Sequence, residues 1–214
     1  MGNRGECCSG NYWRQKSKNM RLIFIIIISL ATVGAYGQQY SVRDLKEGKF
    51  KNDSSYIYSL PYEEGKSYLL IQGYETKMSH KGLRALDFKM KKGSKVCAAR
   101  DGVVIAVRED SRTGGLKQHH LSEGNYVFVQ HNDGSHAQYW HLDPEGSLVN
   151  VGDTVYKGQV IGLSGNTGYS AFPHLHFAVI GQDHNGNYGH LATRFKTKKG
   201  IIYLRPGKFY RSME

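Results

Sequence analysis

The sequence predicts a mainly β protein, an antiparallel β-sheet groove with little helix. Three observations carry that expectation. Short segments of β-favouring residues recur at close intervals, Gly reaches 26 of 214 residues against 4 Pro, and Tyr stands at 15. Strands joined by tight turns give such a pattern, and none of the gaps between segments holds a clear 3.6-residue apolar period.

The expected strands run in order. Tyr56–Leu60 and Tyr68–Gln72 come first, followed by Lys95–Ala99 and the Val-rich Gly102–Arg108. Tyr126–His131 and His136–His141 flank Asn132-Asp133-Gly134-Ser135, read as a hairpin turn because Asp-Gly tolerates the positive φ such turns need. Thr154–Ile161, His174–Ile180 and Ile201–Leu204 complete the set. Two Gly-rich, His-bearing stretches, Glu109–Gly124 and Gly181–His190, interrupt it, and loops of that length on a compact β scaffold are expected either to border a groove or to be tolerated insertions.

Composition bounds the function. With 39% apolar and 22% charged residues, the chain is neither a polytopic membrane protein nor a disordered tail. Its 29 Lys and Arg against 18 Asp and Glu suit an anionic partner: nucleic acid, a membrane surface or a charged polymer.

The uncharged run Leu22–Tyr36 follows Arg14, Lys16, Lys18 and Arg21, the basic-then-apolar order of an export signal. A small-x-small site at Ala35-Tyr36-Gly37 places cleavage after Gly37, with Ala35 the alternative. About fifteen apolar residues fall short of the ~20 that span a bilayer, so no stable membrane anchor is expected after processing. Residues 1–37 are thus read as a signal peptide with an over-extended start, Met20 being the more usual beginning. Residues 38–75 form N-terminal strands or an extension, 76–182 a catalytic core, and 183–214 a C-terminal loop and strand packed on that core. Without residues 1–37 the balance is 24 basic against 17 acidic, or +7. Cys97 is then the lone cysteine and reads as a small buried apolar residue. Lys89, Lys91, Lys92 and Lys95 form either a solvated face or an attraction for anionic polymer.

Chemistry gathers at five positions: His80 and Asp87 in HKGLRALD, His141 in YWHLD, and His174 with His176 in PHLHF. In a strand, HxH puts two imidazoles on one face while Leu175 points to the other. Alone that is a weak signal, and two half-exposed strand histidines are the commoner explanation. Two neutral imidazoles and one carboxylate are, however, a recurring zinc ligand set that leaves a position for water. His131, His136, His119, His120, His184 and His190 read as surface or loop residues.

The run from His80 to Phe177, through HKGLRALDFKMKKGSKVCAARDGVV, GNYVFVQHNDG, YWHLD, VGDTVYKGQVIGLSGNTGYS and PHLHF, resembles the lysostaphin/LytM-type zinc metallopeptidases that cut peptidoglycan. The resemblance implies a fold like the duplicated hybrid motif and one Zn²⁺ held by His80, Asp87 and His176. It also implies that His141 and His174 act on the water and the oxyanion. Substrate contact is expected of Tyr139, Asn125 and Ser170. The implied protein is a monomeric endopeptidase of the periplasm or cell exterior, acting on peptidoglycan peptides and not on nucleic acid. A non-catalytic wall-binding or partner-activating module of the same fold is the alternative, and the intact five-residue set favours the enzyme. Three departures from the family pattern stand out. Six residues separate His80 from Asp87 where the shortest family form has three, though longer spacers ending in ALDF also resemble the family and keep Asp87 as ligand. Phe172 where Gly is frequent and Ala178 where an acid is frequent bear on specificity.

Overall fold

A computed structural model describes residues 43–44 and 56–213. The expected signal peptide, its Met20 start and the boundary at residue 38 lie outside the described residues. Short strands follow in chain order: β1 (Ile57–Tyr58), β2 (Ser67–Gln72), β3 (Ala85–Lys89), β4 (Lys95–Cys97), β5 (Gly102–Arg108) and β6 (Gly114–Gly115). After a 3-10 turn at Gln118–Ser122 come β7 (Tyr126–Gln130), β8 (His136–Trp140), β9 (Leu142–Ser147), β10 (Thr154–Val155), β11 (Val160–Ser164) and β12 (Gly168–Tyr169). The last are β13 (Leu175–Gln182), β14 (Tyr188–His190), β15 (Arg194–Thr197), β16 (Gly200–Ile202) and β17 (Lys208–Arg211). Helix among the described residues is confined to Arg43–Asp44 and the 3-10 turn, and none is long and apolar enough to cross a membrane.

The largest sheet runs β10-β5-β7-β8-β13-β3-β2-β17, with β14 beside β13. Smaller sheets are β4-β11-β9 and β1-β15-β16. Pairing is antiparallel except at β1–β15 and β6–β12. The period of two sorts the main sheet's faces. Leu86, Phe88, Leu175, Phe177, Val179, Ala137, Tyr139, Val127 and Val129 are all essentially unexposed and form one core cluster with Val96 and Ile161 of the β4-β11-β9 sheet. Burying a side chain of the size of Phe177 or Leu86 stabilises by about 1.5–3 kcal/mol each. The residues between them, Asp87, Trp140 and His176, take the opposite face.

Most expected strands are present, with shifted ends. Thr154–Ile161 divides into β10 and β11, because Tyr156–Gln159 turns with Gly158 at φ 85° and Gln159 N–H donating to the Tyr156 carbonyl at 2.9 Å. The 136–141 strand ends at Trp140, since His141 adopts φ 65°. Strand β3 is not among the expected segments, because ALDFK is short and carries a central acid, yet four of its five residues are buried. Strand β9 was hidden by its own Pro144 and Gly146. Cys97 is buried and free, and burial pushes its thiol up to about 11. The lysine row is partly engaged: Lys95 pairs with Glu63 at 2.9 Å, Lys92 with Asp143 at 3.0 Å, and Lys89 Nζ lies 3.8 Å over the Phe172 ring.

Candidate metal centre

Strand pairing assembles the site. His176 on β13 stands in register opposite Asp87 on β3 and, on its other side, opposite Trp140 on β8. His80, from the turn before β3, meets the same carboxylate. His80 Nε2 is 3.2 Å from Asp87 Oδ2, and His176 Nδ1 is 2.8 Å from Asp87 Oδ1. One potential ligand atom from each of the three lies within 4.8 Å of the others, a group able to hold a metal ion.

The donor chemistry fits zinc. Bonds of about 2.0–2.1 Å to nitrogen place tetrahedral ligands about 3.4 Å apart. The His80–Asp87 separation of 3.2 Å is near that value, and the 2.8 Å His176–Asp87 hydrogen bond would open slightly to admit the ion. His80 Nδ1 donates to the Gly73 carbonyl at 3.1 Å, which leaves Nε2 as the ring atom facing Asp87: protonated it donates to the carboxylate, and deprotonated its lone pair would be free for a metal. Gln72 Nε2 donates to Asp87 Oδ2 at 2.8 Å and to Ser79 Oγ at 2.9 Å. Burial of Asp87 would raise its pKa, but hydrogen bonds from His176 and His80 outweigh that and hold the carboxyl well below the usual range. The same pair has the reciprocal effect on His80, where burial is outweighed by Asp87 and the pKa is raised.

Two further imidazoles face this group. The His141 ring centroid is 4.7 Å from that of His174 and 5.9 Å from that of His176. His141 Nδ1 donates to the Thr167 carbonyl at 2.7 Å, and His174 Nδ1 to the Phe172 carbonyl at 2.8 Å. Those carbonyls assign one tautomer to both rings and leave each Nε2 as an acceptor; His174 Nε2 is 3.8 Å from Asp87 Oδ1. Burial, then the neighbouring His174 and His176, lowers the His141 pKa to about 3, and burial lowers that of His174. Both rings are therefore neutral bases at neutral pH.

All five chemistry-bearing positions thus converge. The three expected substrate contacts do not. Tyr139 is fully buried in the core, its hydroxyl accepting from Ala99 N–H at 2.8 Å. The expectation for it failed because His141 leaves the strand through its positive φ, so Tyr139 and His141 do not share a face. Asn125 is also fully buried: its Oδ1 accepts from Ser111 N–H at 3.0 Å, and its Nδ2 donates to the carbonyls of Ser111 at 2.9 Å and Asp143 at 3.2 Å. Ser170, 2% exposed, hydrogen-bonds Asn166 Oδ1 at 2.8 Å and His174 Nδ1 at 3.1 Å and so sits behind the histidine. Each positions its neighbours and presents nothing to a ligand. His131 is buried as well, contrary to its reading as a surface residue. Gln72, Thr167 and the Gly73 carbonyl carried no signal in the sequence, since they act through strand register and main-chain atoms.

The chain is 42% identical over 94 residues to the peptidoglycan DD-endopeptidase ShyA of Vibrio cholerae serotype O1, covering 44% of this chain and 19% of that protein. It is 32% identical over 140 residues to the glycyl-glycine endopeptidase ALE-1 of Staphylococcus capitis, covering 59% of this chain and 36% of the other. Matches of this kind span between a fifth and about a third of those relatives' lengths. Among solved structures, the catalytic domain of lysostaphin from Staphylococcus simulans aligns at 31% identity with a TM-score of 0.42, over 58% of this chain and 87% of that one. Residues 79–190, more than half of the 214, match the family model described as Peptidase family M23, from His80 through His176, and the chain belongs to that family.

Proposed function

We propose that this chain is an exported zinc endopeptidase that hydrolyses peptide bonds in bacterial peptidoglycan. The observation that carries the reading is the convergence of His80, Asp87 and His176 on one point, with the neutral rings of His141 and His174 beside it. The names of the relatives support the substrate class, and the basic-then-apolar leader supports export.

His80, Asp87 and His176 would hold the zinc. When bound there, it supplies an acidified water and a Lewis acid at neutral pH. With two imidazoles and one carboxylate as ligands, the centre keeps a net positive charge, which favours both effects. His141 and His174, fixed by the Thr167 and Phe172 carbonyls, present unprotonated Nε2 atoms to the same space. One receives the proton released when the amide is attacked, and once protonated can donate to the oxyanion or pass that proton to the leaving amine. The half-buried rings of Trp140, Tyr126 and Phe128 lie on the same face, with Trp140–Tyr126 centroids at 4.6 Å, and offer an apolar floor to a peptide.

The test measures bound zinc, and soluble peptides released from purified peptidoglycan, for the chain and for His176→Ala. Zinc at one per chain with peptide release, both lost in the variant, is the expected result. A wild-type chain that binds zinc but releases nothing would favour the non-catalytic wall-binding reading.

A further inference from the structure

The excess charge of this chain is concentrated outside the residues that match the family. Residues 38–190 carry 17 basic and 16 acidic side chains, whereas 191–214 carry seven basic side chains and one acid, the terminal Glu214. Those residues fold into β15, β16 and β17, and they enclose a cavity of about 430 Å³. Lys198, Lys199, Arg205, Lys208 and Arg211 line it together with Tyr203 and Phe209, and no carboxylate of the described residues does. None of these five cations forms an ion pair among the described residues, in contrast to Lys95, Lys92 and Arg100 elsewhere on the surface.

The cavity is built. Thr197 Oγ1 donates to the Gly200 carbonyl at 2.9 Å and accepts from Lys199 N–H at 3.1 Å, which pins the turn that presents both lysines. Across from it, β17 pairs with β2, and the buried Tyr210 hydroxyl accepts from Arg205 N–H at 2.8 Å and fixes the turn before the strand. The pleat of β17 leaves the Phe209 ring 70% exposed, while its neighbour Tyr210 packs into the core. The exposed Phe209 ring thus stands beside cations that make no ion pair among the described residues, which puts an aromatic face and positive charge together at one mouth.

We propose that this cavity is a binding site for an anionic polysaccharide, with Phe209 stacking on a sugar face and the lysines and arginines reading the acid groups. Its volume lies in the lower part of the ~300–1,000 Å³ range of small-ligand pockets, enough for one or two sugar units. A bilayer presents a flat face and would reach only the rim. Single-stranded nucleic acid is held on successive aromatic platforms along a groove, and here one ring is strongly exposed. The site is separate from the metal group and does not depend on the endopeptidase reading.

The test is equilibrium binding of the full chain to fluorescein-labelled polygalacturonate and dextran sulfate, with neutral dextran and poly-glutamate as controls. The two acidic glycans should bind, and dextran should not. Phe209→Ala and Lys198→Gln/Lys199→Gln, all at exposed positions, should each weaken binding about tenfold or more, the ratio that 1.4 kcal/mol represents. His176→Ala should bind as the wild type does, so a failed endopeptidase reading leaves this result untouched. Binding to neither glycan overturns the proposal, as does an undiminished Phe209→Ala or equal affinity for poly-glutamate. Tighter binding of phosphatidylglycerol vesicles or of single-stranded DNA, lost in the same variants, would overturn it in favour of a membrane or a nucleic acid.

Discussion

The ring of His141 stands 4.7 Å from that of His174, and each is tied through Nδ1 to a main-chain carbonyl of the β11–β13 connection. The two side chains are therefore set in matching tautomers by one stretch of backbone, and both stand beside the His80, Asp87 and His176 group without belonging to it. His141→Ala and His174→Ala should each lower turnover on peptidoglycan by about 10²–10⁴, the usual contribution of a positioned acid or base. Zinc content should stay at the wild-type level in both. Because the rings act as a unit, the double variant should lose far less than the product of the single losses. Zinc analysis alongside turnover separates this from a metal-site defect; loss of zinc in either single variant would count against the division of roles.

Behind His141, Asn125 ties three segments together through Ser111, Asp143 and the Thr167 hydroxyl, which accepts from Asn125 N–H at 3.0 Å. Asn125→Ala would orphan the Ser111 N–H and leave the Ser111 and Asp143 carbonyls without this donor. Each buried orphan costs about 1–3 kcal/mol, so a destabilisation of about 3 kcal/mol is expected in urea unfolding. Asn125→Asp should be worse, since it aims a carboxylate at two carbonyl oxygens. Gly165 offers a second handle on the same corner: a Cβ there would meet Asp143 N at 2.5 Å and Leu142 C at 2.7 Å, both backbone atoms. Gly165→Ala should displace the His141–Asp143 segment and reduce turnover along with stability. A variant within about 0.5 kcal/mol of wild type, the range of ordinary surface changes, would show that the corner yields freely.

What was legible in the sequence follows from which atoms do the work. His174 and His176 announce themselves because imidazole is rare, titratable and repeated at the strand period, and the burial of Leu175 between them follows from the same pleat. Asp87 was legible as an acid but not as part of a strand, since a buried carboxylate in ALDFK makes sense only once two imidazoles and an amide surround it. Gln72 could not be read at all. It reaches Asp87 because β2 shifts register between Leu70 and Gln72, a bulge with no signature in YLLIQ. Tyr139 misled for the opposite reason: the alternation that would place it beside His141 is broken by one positive φ, which sequence periodicity does not reveal.

Gln72 is accordingly a positioning residue. Its amide donates to Asp87 Oδ2 at 2.8 Å, and its Oε1 accepts from Ser79 N–H and Thr76 Oγ1, each at 3.3 Å, so the carboxylate is steered by a side chain that is itself anchored. Outer partners of metal ligands commonly change affinity by 10–100-fold. Gln72→Leu should weaken zinc binding within that range in a chelator competition titration, with an unchanged stoichiometry of one at saturating metal. Adding zinc back should then restore turnover, which a purely structural defect would not permit.

His131 sets an acid limit on stability that is independent of the metal group. Its Nδ1–H donates to the Asp101 carbonyl at 2.7 Å, while Nε2 is buried without a hydrogen-bond partner among the described residues. Protonation would create a buried N⁺–H with no acceptor, and Arg100 and His136 face the same ring. Burial first, then the Arg100 charge, lowers its pKa to about 4. The unfolded chain takes up this proton near the ordinary His value of about 6.5. Because the folded pKa lies below the unfolded one, the stabilisation from the neutral ring is complete above about pH 6.5 and is lost as pH falls toward 4. The loss at pH 4 amounts to about 3 kcal/mol for this one group. His190, lowered by burial to about 4, and His141 add in the same direction, so the total slope cannot be assigned to His131 from the wild type alone. His131→Asn keeps a donor for the Asp101 carbonyl and removes the titration. Urea unfolding of both proteins between pH 7 and 4 should show a shallower decline in the variant, by about 3 kcal/mol across the interval. Parallel curves would mean that the buried Nε2 finds water or an acceptor on protonation, and that the acid lability resides in the other histidines.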